Sequence, residues 1–254
     1  MFVFYKYEHY SYSIVEALQL TSPQGDTTMQ SLSSQTWKSI SHHLRFLKAM
    51  KAFFFLLFEP ENLDTVDELS HCLIHSRAFE LAAEAMKANP EVAAMLKERY
   101  IAPAHDLDAL LRYPQDSLGY AYASSLKQQG FDRIDPEVQI DADTSYIEYR
   151  WQQTHDIWHV VTGFGTSEIA EIGLQAFYLA QFRLPLAGML IANALVSTTL
   201  MHPEELPQLL QAIAQGWKMG MSAKPFIAQK WEEAWEKPVS QWRQELNVQA
   251  IAFV

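Results

Sequence analysis

Apolar residues recur every three or four positions over most of the chain, which is the spacing that places them on one face of a helix. Segment 64–87 is typical, because this spacing recurs in Leu69, Cys72 and Leu73 and again in Phe79, Ala82 and Ala83. No apolar run alternates with polar residues for long enough to predict a strand. The pattern predicts an all-α fold, with helices over residues 38–58, 64–87, 90–100, 106–112, 117–130, 203–219 and 225–235.

Capping residues mark where several of these helices begin and end. Asn89-Pro90-Glu91 combines a good N-cap, a proline at the first helical position and an acid in the first turn. Ser117 is a good N-cap for the next long helix, and Gly130 can end it.

Residues 184–201 are the closest approach to a membrane span, because they carry no charge. They have barely the length that a bilayer requires, and they include Pro185, Gly188 and Asn193. We therefore predict a buried or pocket-lining helix here rather than a transmembrane helix.

Residues 21–36 (TSPQGDTTMQSLSSQT) are rich in Ser, Thr and Gln and lack helical or strand periodicity, which predicts a linker. We expect an N-terminal extension and linker over residues 1–36 and a single-domain helical bundle over residues 37–254. The length allows one substantial core.

Charge and cysteine content narrow the function. The 254 residues carry a net charge of −11 and include no long basic run, which argues against nucleic-acid binding. Cys72 is the only cysteine, so no disulfide can form within one chain, as suits a reducing compartment. The N-terminus resembles neither a secretory signal nor an Arg-rich transit peptide, and we expect a cytoplasmic location.

The stretch 146–182 carries the candidate chemistry, beginning with HDIWH. On a helix, His155 and His159 project from one face with Cβ atoms about 5–6 Å apart, a suitable distance to chelate one divalent cation. Asp156 is rotated by about 60° from His159, so its carboxylate could reach the same ion. The spacing alone is weak evidence, because about 0.3 such pairs are expected by chance and His71 and His75 form a second one.

Glu171 distinguishes the two histidine pairs. In one unbroken helix it would lie about 18 Å from His159. Two glycines in Thr162-Gly163-Phe164-Gly165-Thr166 predict a helix break, with Thr166 capping a second helix. Glu171 could then face back toward His155 and His159, giving two imidazoles and one or two carboxylates for one ion.

Further polar residues precede the histidines by one or two turns of the predicted helix. Glu148 and Gln152 are candidates to orient the imidazoles, and Glu148 is also a candidate catalytic residue. Arg150, one turn before the ligands, is a candidate to neutralise an anionic head group; a surface salt bridge is the alternative.

HDIWH, eleven residues and then Glu171 resemble the HDxxH-x11-E signature of the ubiquinone (coenzyme Q) biosynthesis protein 4 family. The TGFGT turn, the GLQAF sequence that follows Glu171, and the earlier PQDSLGYAY block are similar to that family as well. The likeness covers residues 39–246, and the combined signature is specific where HDxxH alone is not.

The resemblance implies an all-helical protein that binds a divalent metal through His155, Asp156, His159 and Glu171. It also implies binding of a polyprenylated aromatic or isoprenoid lipid, and a role in replacing a ring carboxyl group by hydroxyl, as a polyprenylbenzoate decarboxylase (a lyase). Association with other quinone-biosynthesis enzymes on a membrane surface is implied too. Because the N-terminal residues are not matched, we expect a bacterial member that is peripheral on the cytoplasmic side of the membrane.

A polyprenyl tail requires a long apolar tunnel that ends at the metal. The candidate tunnel residues are Phe177, Phe182, Met189 and Leu195, although each could instead fill the core. Residues 53–58 (FFFLLF) cannot all face inward from one helix, so some must contact a partner helix, a membrane or a second subunit. We expect a homodimer.

Three hypotheses remain open. The first is a metal-dependent enzyme that acts on a prenylated benzoate, with zinc as the first choice of metal and iron or magnesium as alternatives. The second is a non-catalytic prenyl-lipid-binding scaffold in which the metal only staples two helices. The third, a metal hydrolase, is disfavoured because Asp156 stands where HExxH proteases have the glutamate that serves as base.

Overall fold

The computed structural model describes residues 34–131 and 138–251, with side chains from residue 43 onward. Every regular element in these ranges is helical, which confirms the all-α prediction, and they form one domain. The α-helices are α1 Ser34–Leu56, α2 Leu63–Ile74, α3 Arg77–Met86, α4 Pro90–Glu98, α5 Leu107–Leu110, α6 Leu118–Gln129, α7 Asp143–Thr162, α8 Glu168–Phe182, α9 Pro185–Met201, α10 Leu206–Ser222 and α11 Val239–Glu245.

The predicted caps of α4 and α6 are confirmed. The Asn89 side chain accepts hydrogen bonds from the backbone of the first turn of α4, with Pro90 at its first position. Ser117 accepts a hydrogen bond from the amide of Tyr120, and Gly130 ends α6 in the left-handed conformation. These helices were located correctly because capping is a local interaction, visible within a few residues of sequence.

Two predicted helices are wrong in detail. Segment 64–87 is two helices, because the chain leaves the helix at His75 and the Ser76 side chain caps a new one by accepting a hydrogen bond from the amide of Phe79. Segment 225–235 forms two short 3-10 turns, Phe226–Ala228 and Trp231–Glu233, instead of an α-helix.

The predicted N-terminal extension and linker lie mostly outside the described residues. The first described helix begins at Ser34, inside the predicted linker, whereas residues 1–33 of the extension and linker lie outside the described residues.

An aromatic core surrounds α7 and α8. The indole of Trp158 on α7 packs against Phe177 and Tyr178 of α8 and against Phe226, with ring centroids 6.0, 5.0 and 5.4 Å away. Burial of each large apolar side chain stabilises the fold by about 1.5–3 kcal/mol. Because the neighbouring helices cover most of α7, many of its polar residues are buried as well, among them Arg150, Gln152 and Thr154.

Two arginines fix α7 to the rest of the domain. Arg243 of α11 donates hydrogen bonds to the carbonyls of Val160 and Val161, 2.9 Å each, in the last turn of α7. Arg150 near its middle forms a bidentate pair with Glu232. Cations bound to the last carbonyls of a helix also interact favourably with its dipole.

The uncharged segment forms helix α9, which begins with Pro185 at its first position. Its first half is buried, as predicted for the whole helix, whereas Val196, Leu200 and Met201 in its last half are exposed. Among the described residues, no helix combines the length and the apolarity that crossing a bilayer would require.

Candidate metal centre

A glycine turn brings α7 and α8 together at the site. Gly163 ends α7 with φ +82°, a conformation that glycine adopts without strain, and its amide donates a hydrogen bond to the carbonyl of His159 at 2.9 Å. A Cβ atom there would lie 2.1 Å from the carbonyl oxygen of Ile251, so a larger residue has no room. Ser167, one residue after the predicted Thr166, caps α8 by accepting a hydrogen bond from Ala170.

His155 and His159 face one another from successive turns of α7. Their Nε2 atoms are 3.1 Å apart, and the two rings are nearly perpendicular, with centroids 4.6 Å apart. Both side chains are buried, with 2% and 8% of each residue exposed. The chelating geometry predicted from the four-residue spacing is therefore present in the fold.

Glu171 of α8 completes the group. Its Oε1 lies 3.2 Å from Nε2 of His159, and its Oε2 lies 3.9 Å from Nε2 of His155. Only 1% of Glu171 is exposed, so its carboxylate is shielded from water. A buried carboxylate costs several kcal/mol unless another charge compensates it, and either a protonated His159 or a divalent cation between the three ligands would do so.

The hydrogen bonds on the far sides of the rings indicate which nitrogen atoms face the site. Nδ1 of His159 lies 3.0 Å from the carbonyl oxygen of Phe164, which can only accept, so this nitrogen carries a proton. In the neutral ring its Nε2 then has a lone pair directed at the other ligands, as metal coordination requires. Nδ1 of His155 lies 2.6 Å from the hydroxyl of Tyr178.

The electrostatic environment favours a neutral His155 and a protonated His159. Burial, with a smaller effect from the charge of His159, lowers the pKa of His155 well below its ordinary value. Burial also lowers the pKa of His159, but the nearby charge of Glu171 outweighs it and raises that pKa to about 9. Burial and the charge of Glu171 raise the pKa of Tyr178 well above its ordinary value, so its hydroxyl keeps its proton.

The partners of the two imidazoles differ from the predicted ones. Tyr178 and the Phe164 carbonyl bind the Nδ1 atoms, whereas Glu148 accepts hydrogen bonds from Ser70 and Gln152, both at 3.3 Å. Tyr178 lies seven residues after Glu171, on the same face of α8, and this spacing could have revealed it. A backbone carbonyl has no sequence signal.

Among the described residues, one group of three His, Cys, Asp or Glu side chains brings its ligand atoms within 4.8 Å of one another, namely His155, His159 and Glu171. The fourth predicted ligand, Asp156, is outside that group, because the next residue on a helix is rotated by about 100°. Burial raises the pKa of Asp156 to about 6, with the charge of His159 opposing and that of Glu171 adding to the effect. Its coordination of the metal stays a prediction.

Glu148 lies beside a small cavity of about 10 Å³, room for about one water molecule. Apolar side chains such as Leu73 and Ile147 line most of it. Burial raises the pKa of Glu148 to about 7, against the lowering effect of the Ser70 hydrogen bond. A catalytic role for Glu148 stays a prediction.

Arg150 is paired, but inside the protein rather than at the surface. Its Nη1 lies 2.6 Å from Oε1 of Glu232, its Nη2 lies 2.9 Å from Oε2, and Nη2 also donates to the carbonyl of Gln229 at 2.6 Å. Neither charged side chain is more than 1% exposed. The predicted contact of Arg150 with an anionic head group stays a prediction.

The four candidate tunnel residues are divided between the core and a groove. Phe177 is fully buried among aromatic rings, while Met189 and Leu195 of α9 are partly buried against the core. Phe182 lines a groove of about 510 Å³ that has α3 and α4 on one side and α8 and α10 on the other. None of the three metal ligands lines this groove or the cavity beside Glu148. A tunnel that ends at the metal stays a prediction.

Comparisons with known proteins agree on one family. A family model described as coenzyme Q (ubiquinone) biosynthesis protein Coq4 matches residues 36–252. The crystal structure of a candidate ubiquinone biosynthesis protein from Nostoc punctiforme superposes with a TM-score of 0.72 and 34% sequence identity, covering 80% of this chain and 98% of that one. This bacterial neighbour is consistent with the expected bacterial member.

Curated relatives are similar at lower identity. The mitochondrial ubiquinone biosynthesis protein COQ4 of Uncinocarpus reesii is 30% identical over 200 residues, which are 76% of this chain and 70% of that protein. The mitochondrial COQ4 homologue of Aedes aegypti is 25% identical over 150 residues. Those residues are 58% of this chain and 54% of the Aedes protein, so the match spans about half of that relative's length.

Proposed function

We propose, from the premise that the chain belongs to the coenzyme Q (ubiquinone) biosynthesis protein Coq4 family, that it binds a polyprenylated aromatic intermediate at a divalent metal and supports oxidative decarboxylation of the ring carboxyl. The observation that carries the proposal is the convergence of two Nε2 atoms and a buried carboxylate in the core. His155, His159 and Glu171 are the proposed ligands.

The donor set fits zinc or iron better than magnesium. Imidazole nitrogen suits zinc and iron, whereas magnesium prefers oxygen ligands and keeps several waters. The bound ion would act as a Lewis acid toward a phenolate or carboxylate oxygen of the intermediate. Tyr178 and Phe164 would hold the rings in place, which is the usual task of groups that hydrogen-bond to metal ligands.

The proposed reaction needs an electron acceptor. With water as the oxygen source, replacing the ring carboxyl by hydroxyl releases carbon dioxide, two protons and two electrons. The two electrons would pass to dioxygen, giving hydrogen peroxide, or to a two-electron redox cofactor of a partner enzyme. We propose that the chain works with other quinone-biosynthesis enzymes and with a second copy of itself. We also propose that it acts peripherally on a membrane.

Arg150 and Glu148 are the proposed contributors beyond the ligands. Contact between Arg150 and an anionic head group would require the head group to replace Glu232, which has the same charge and the same bidentate geometry. Glu148 could hold a proton near neutral pH, since burial raises its pKa to about 7.

A second candidate function is a prenyl-lipid-binding scaffold in which the metal holds α7 and α8 together. The observation in its favour is burial. The three ligands are between 1% and 8% exposed, and neither described cavity is lined by any of them. A structural metal needs no path for substrate.

The test is mass spectrometry of the metal and the lipid that co-purify with the native protein, combined with the variant His155→Ala. The matched control is the double variant His71→Ala/His75→Ala, which removes the other histidine pair. Enzyme function predicts that His155→Ala loses the metal and the decarboxylated product while its helical content persists. Loss of the metal with product formation intact would favour the scaffold. A native protein without bound metal would contradict both.

A further inference from the structure

The last turn of α7 has its carbonyl groups bound by a segment that lies far along the chain. Arg243 donates hydrogen bonds to the carbonyls of Val160 and Val161 at 2.9 Å each. The backbone amide of Ile251 donates to the carbonyl of Thr162 at 3.2 Å. Carbonyls in the last turn of a helix have no partner within that helix, so these three depend on partners from elsewhere.

These contacts lie beside the proposed metal ligands. His159 is in the same last turn of α7, and the Phe164 carbonyl that binds its Nδ1 comes just after that turn. The carbonyl oxygen of Ile251 packs against Gly163, where an added Cβ atom would lie 2.1 Å away. Segment 243–251 therefore supports both the turn that carries one ligand and the glycine bend that leads to the ligand on α8.

The same segment is fixed at the end of α10. The carbonyl of Leu246 accepts a hydrogen bond from the amide of Lys224 at 2.9 Å, and the Asn247 side chain donates to the carbonyl of Ser222 at 2.8 Å. Leu246 and Val248 are buried, with 3% and 8% of each residue exposed. The segment thus connects the end of α10 to the end of α7 through buried side chains and backbone hydrogen bonds.

We propose that Arg243 is a positioning residue for the metal centre, and that docking of segment 243–251 and binding of the metal stabilise one another. The inference rests on the proposed function, because it requires a metal at His155, His159 and Glu171. Removal of a group that orients metal ligands typically lowers the metal affinity by about 10- to 100-fold. The segment acts through the backbone that carries His159 and the Phe164 carbonyl.

Thermodynamic linkage makes such an effect reciprocal. If docking of segment 243–251 raises the affinity for the metal by some factor, then bound metal raises the docking equilibrium by the same factor. A purely structural role predicts no such relation. Loss of the contacts would then lower the stability of the metal-free and metal-bound protein equally and leave the metal affinity of the folded protein unchanged.

The first experiment measures the zinc affinity of full-length variants by competition with a chromogenic chelator. Arg243→Met removes the guanidinium donors, and Ile251→Pro removes the backbone N–H that binds the Thr162 carbonyl. We expect each to weaken zinc binding by about tenfold. Arg243→Lys keeps the charge and an N–H donor and should recover part of that affinity.

Each variant has a matched control. Arg112→Met makes the same substitution at an exposed arginine and should leave the zinc affinity unchanged. Ile251→Ala shortens the side chain but keeps the backbone N–H, so it should retain most of the affinity that Ile251→Pro loses. Circular dichroism and the melting temperature of the zinc-free protein report loss of fold separately from loss of affinity.

The second experiment uses the wild type alone, so it does not depend on any variant folding. Amide hydrogen exchange followed by mass spectrometry reports local opening of the chain. Saturating zinc should slow exchange in a peptide that covers residues 247–251 by about tenfold, the same factor as the loss of zinc affinity. A peptide that covers α5 reports the general effect of zinc on stability and should be slowed less.

Unchanged zinc affinity in both Arg243→Met and Ile251→Pro would overturn the inference and leave the proposed function standing. Zinc that slows exchange in the 247–251 peptide no more than in the α5 peptide would overturn it as well. A wild type without zinc affinity would contradict the proposed metal site, and the inference with it.

Discussion

The chain contains two pairs of histidines four residues apart: His71 of α2 with His75, the residue that caps the end of α2, and His155 with His159 on α7. The first pair is exposed, and its ring centroids are 5.8 Å apart. The second pair is buried, with centroids 4.6 Å apart and both Nε2 atoms directed at Glu171. The same spacing on two helices therefore produces different environments.

The difference lies in what surrounds each pair. Cys72, between the α2 histidines, does not complete a ligand group with them among the described residues. At α7 the surrounding core removes water, so a carboxylate and two imidazoles must satisfy one another or bind an ion. Burial and a third ligand, rather than spacing, distinguish a metal site from two helix-surface histidines.

The largest expected effect tests this comparison directly. His155→Ala and His159→Ala each remove a ligand, and we expect metal affinity to fall by more than about 100-fold, beyond the range for groups that only orient ligands. His71→Ala/His75→Ala should bind metal like the wild type. Metal content after equilibrium dialysis measures both, and equal loss in the α2 variant would contradict the comparison.

The next prediction contrasts a buried carboxyl on α7 with an exposed one on α2. Burial raises the pKa of Glu148 to about 7 from an ordinary value of 4.5. The stability linked to its protonation is fully present below pH 4.5 and is lost as the pH rises through 7. We therefore compare the unfolding free energy of Glu148→Gln with that of the wild type. Between acidic pH and pH 8, this difference should shift in favour of the variant by on the order of 3 kcal/mol.

Chemical denaturation between pH 5 and pH 8 checks this Glu148 prediction. The control is Glu68→Gln on α2, which makes the same substitution at an exposed position. A flat difference between Glu148→Gln and the wild type across this range would show that Glu148 is not held protonated by burial.

Removal of the metal tests the same two histidine pairs through the thermal stability of the fold. At a free metal concentration of about 100 times the dissociation constant, binding stabilises the fold by about 2.7 kcal/mol. A chelator should therefore lower the melting temperature by about 5–10 °C in the wild type and in His71→Ala/His75→Ala. His155→Ala should show no response to the chelator in scanning calorimetry; a shift as large as that of the wild type would place the ion elsewhere.

The smallest effect concerns the group that orients a ligand. Tyr178→Phe removes the hydroxyl 2.6 Å from Nδ1 of His155, and we expect metal affinity to fall by about 10- to 100-fold. Tyr149→Phe, on α7, removes a hydroxyl that accepts a hydrogen bond from Gln153 and serves as the control. Competition with a chromogenic chelator measures both, and unchanged affinity in Tyr178→Phe would exclude this role.

Much of the fold followed from local sequence signals. Asn89, Ser117 and Gly130 cap helices by contacts within a few residues, and the predictions based on them are confirmed. The break at Ser76 was missed because the apolar spacing of three and four continues across it, although the serine is itself a cap. Periodicity describes which face is apolar and does not require the helix to be continuous.

The site was predictable in part. Gly163 ends α7 as expected, and Glu171 reaches His155 and His159. The Phe164 carbonyl could not be predicted, because every residue has one. The position of Phe164 depends on Gly173, because a Cβ atom at residue 173 would lie 2.2 Å from the Phe164 ring.

Short-range geometry could be read from the sequence: the helical class, the turn at Gly163, and the distance between His155 and His159. The packing of distant helices is what buries this histidine pair and leaves His71 and His75 exposed. It also decided that Arg150 binds Glu232, 82 residues away. The physical reason is that caps and helical spacing act within one or two turns of backbone, whereas burial and the pairing of buried charges depend on which distant helices pack together.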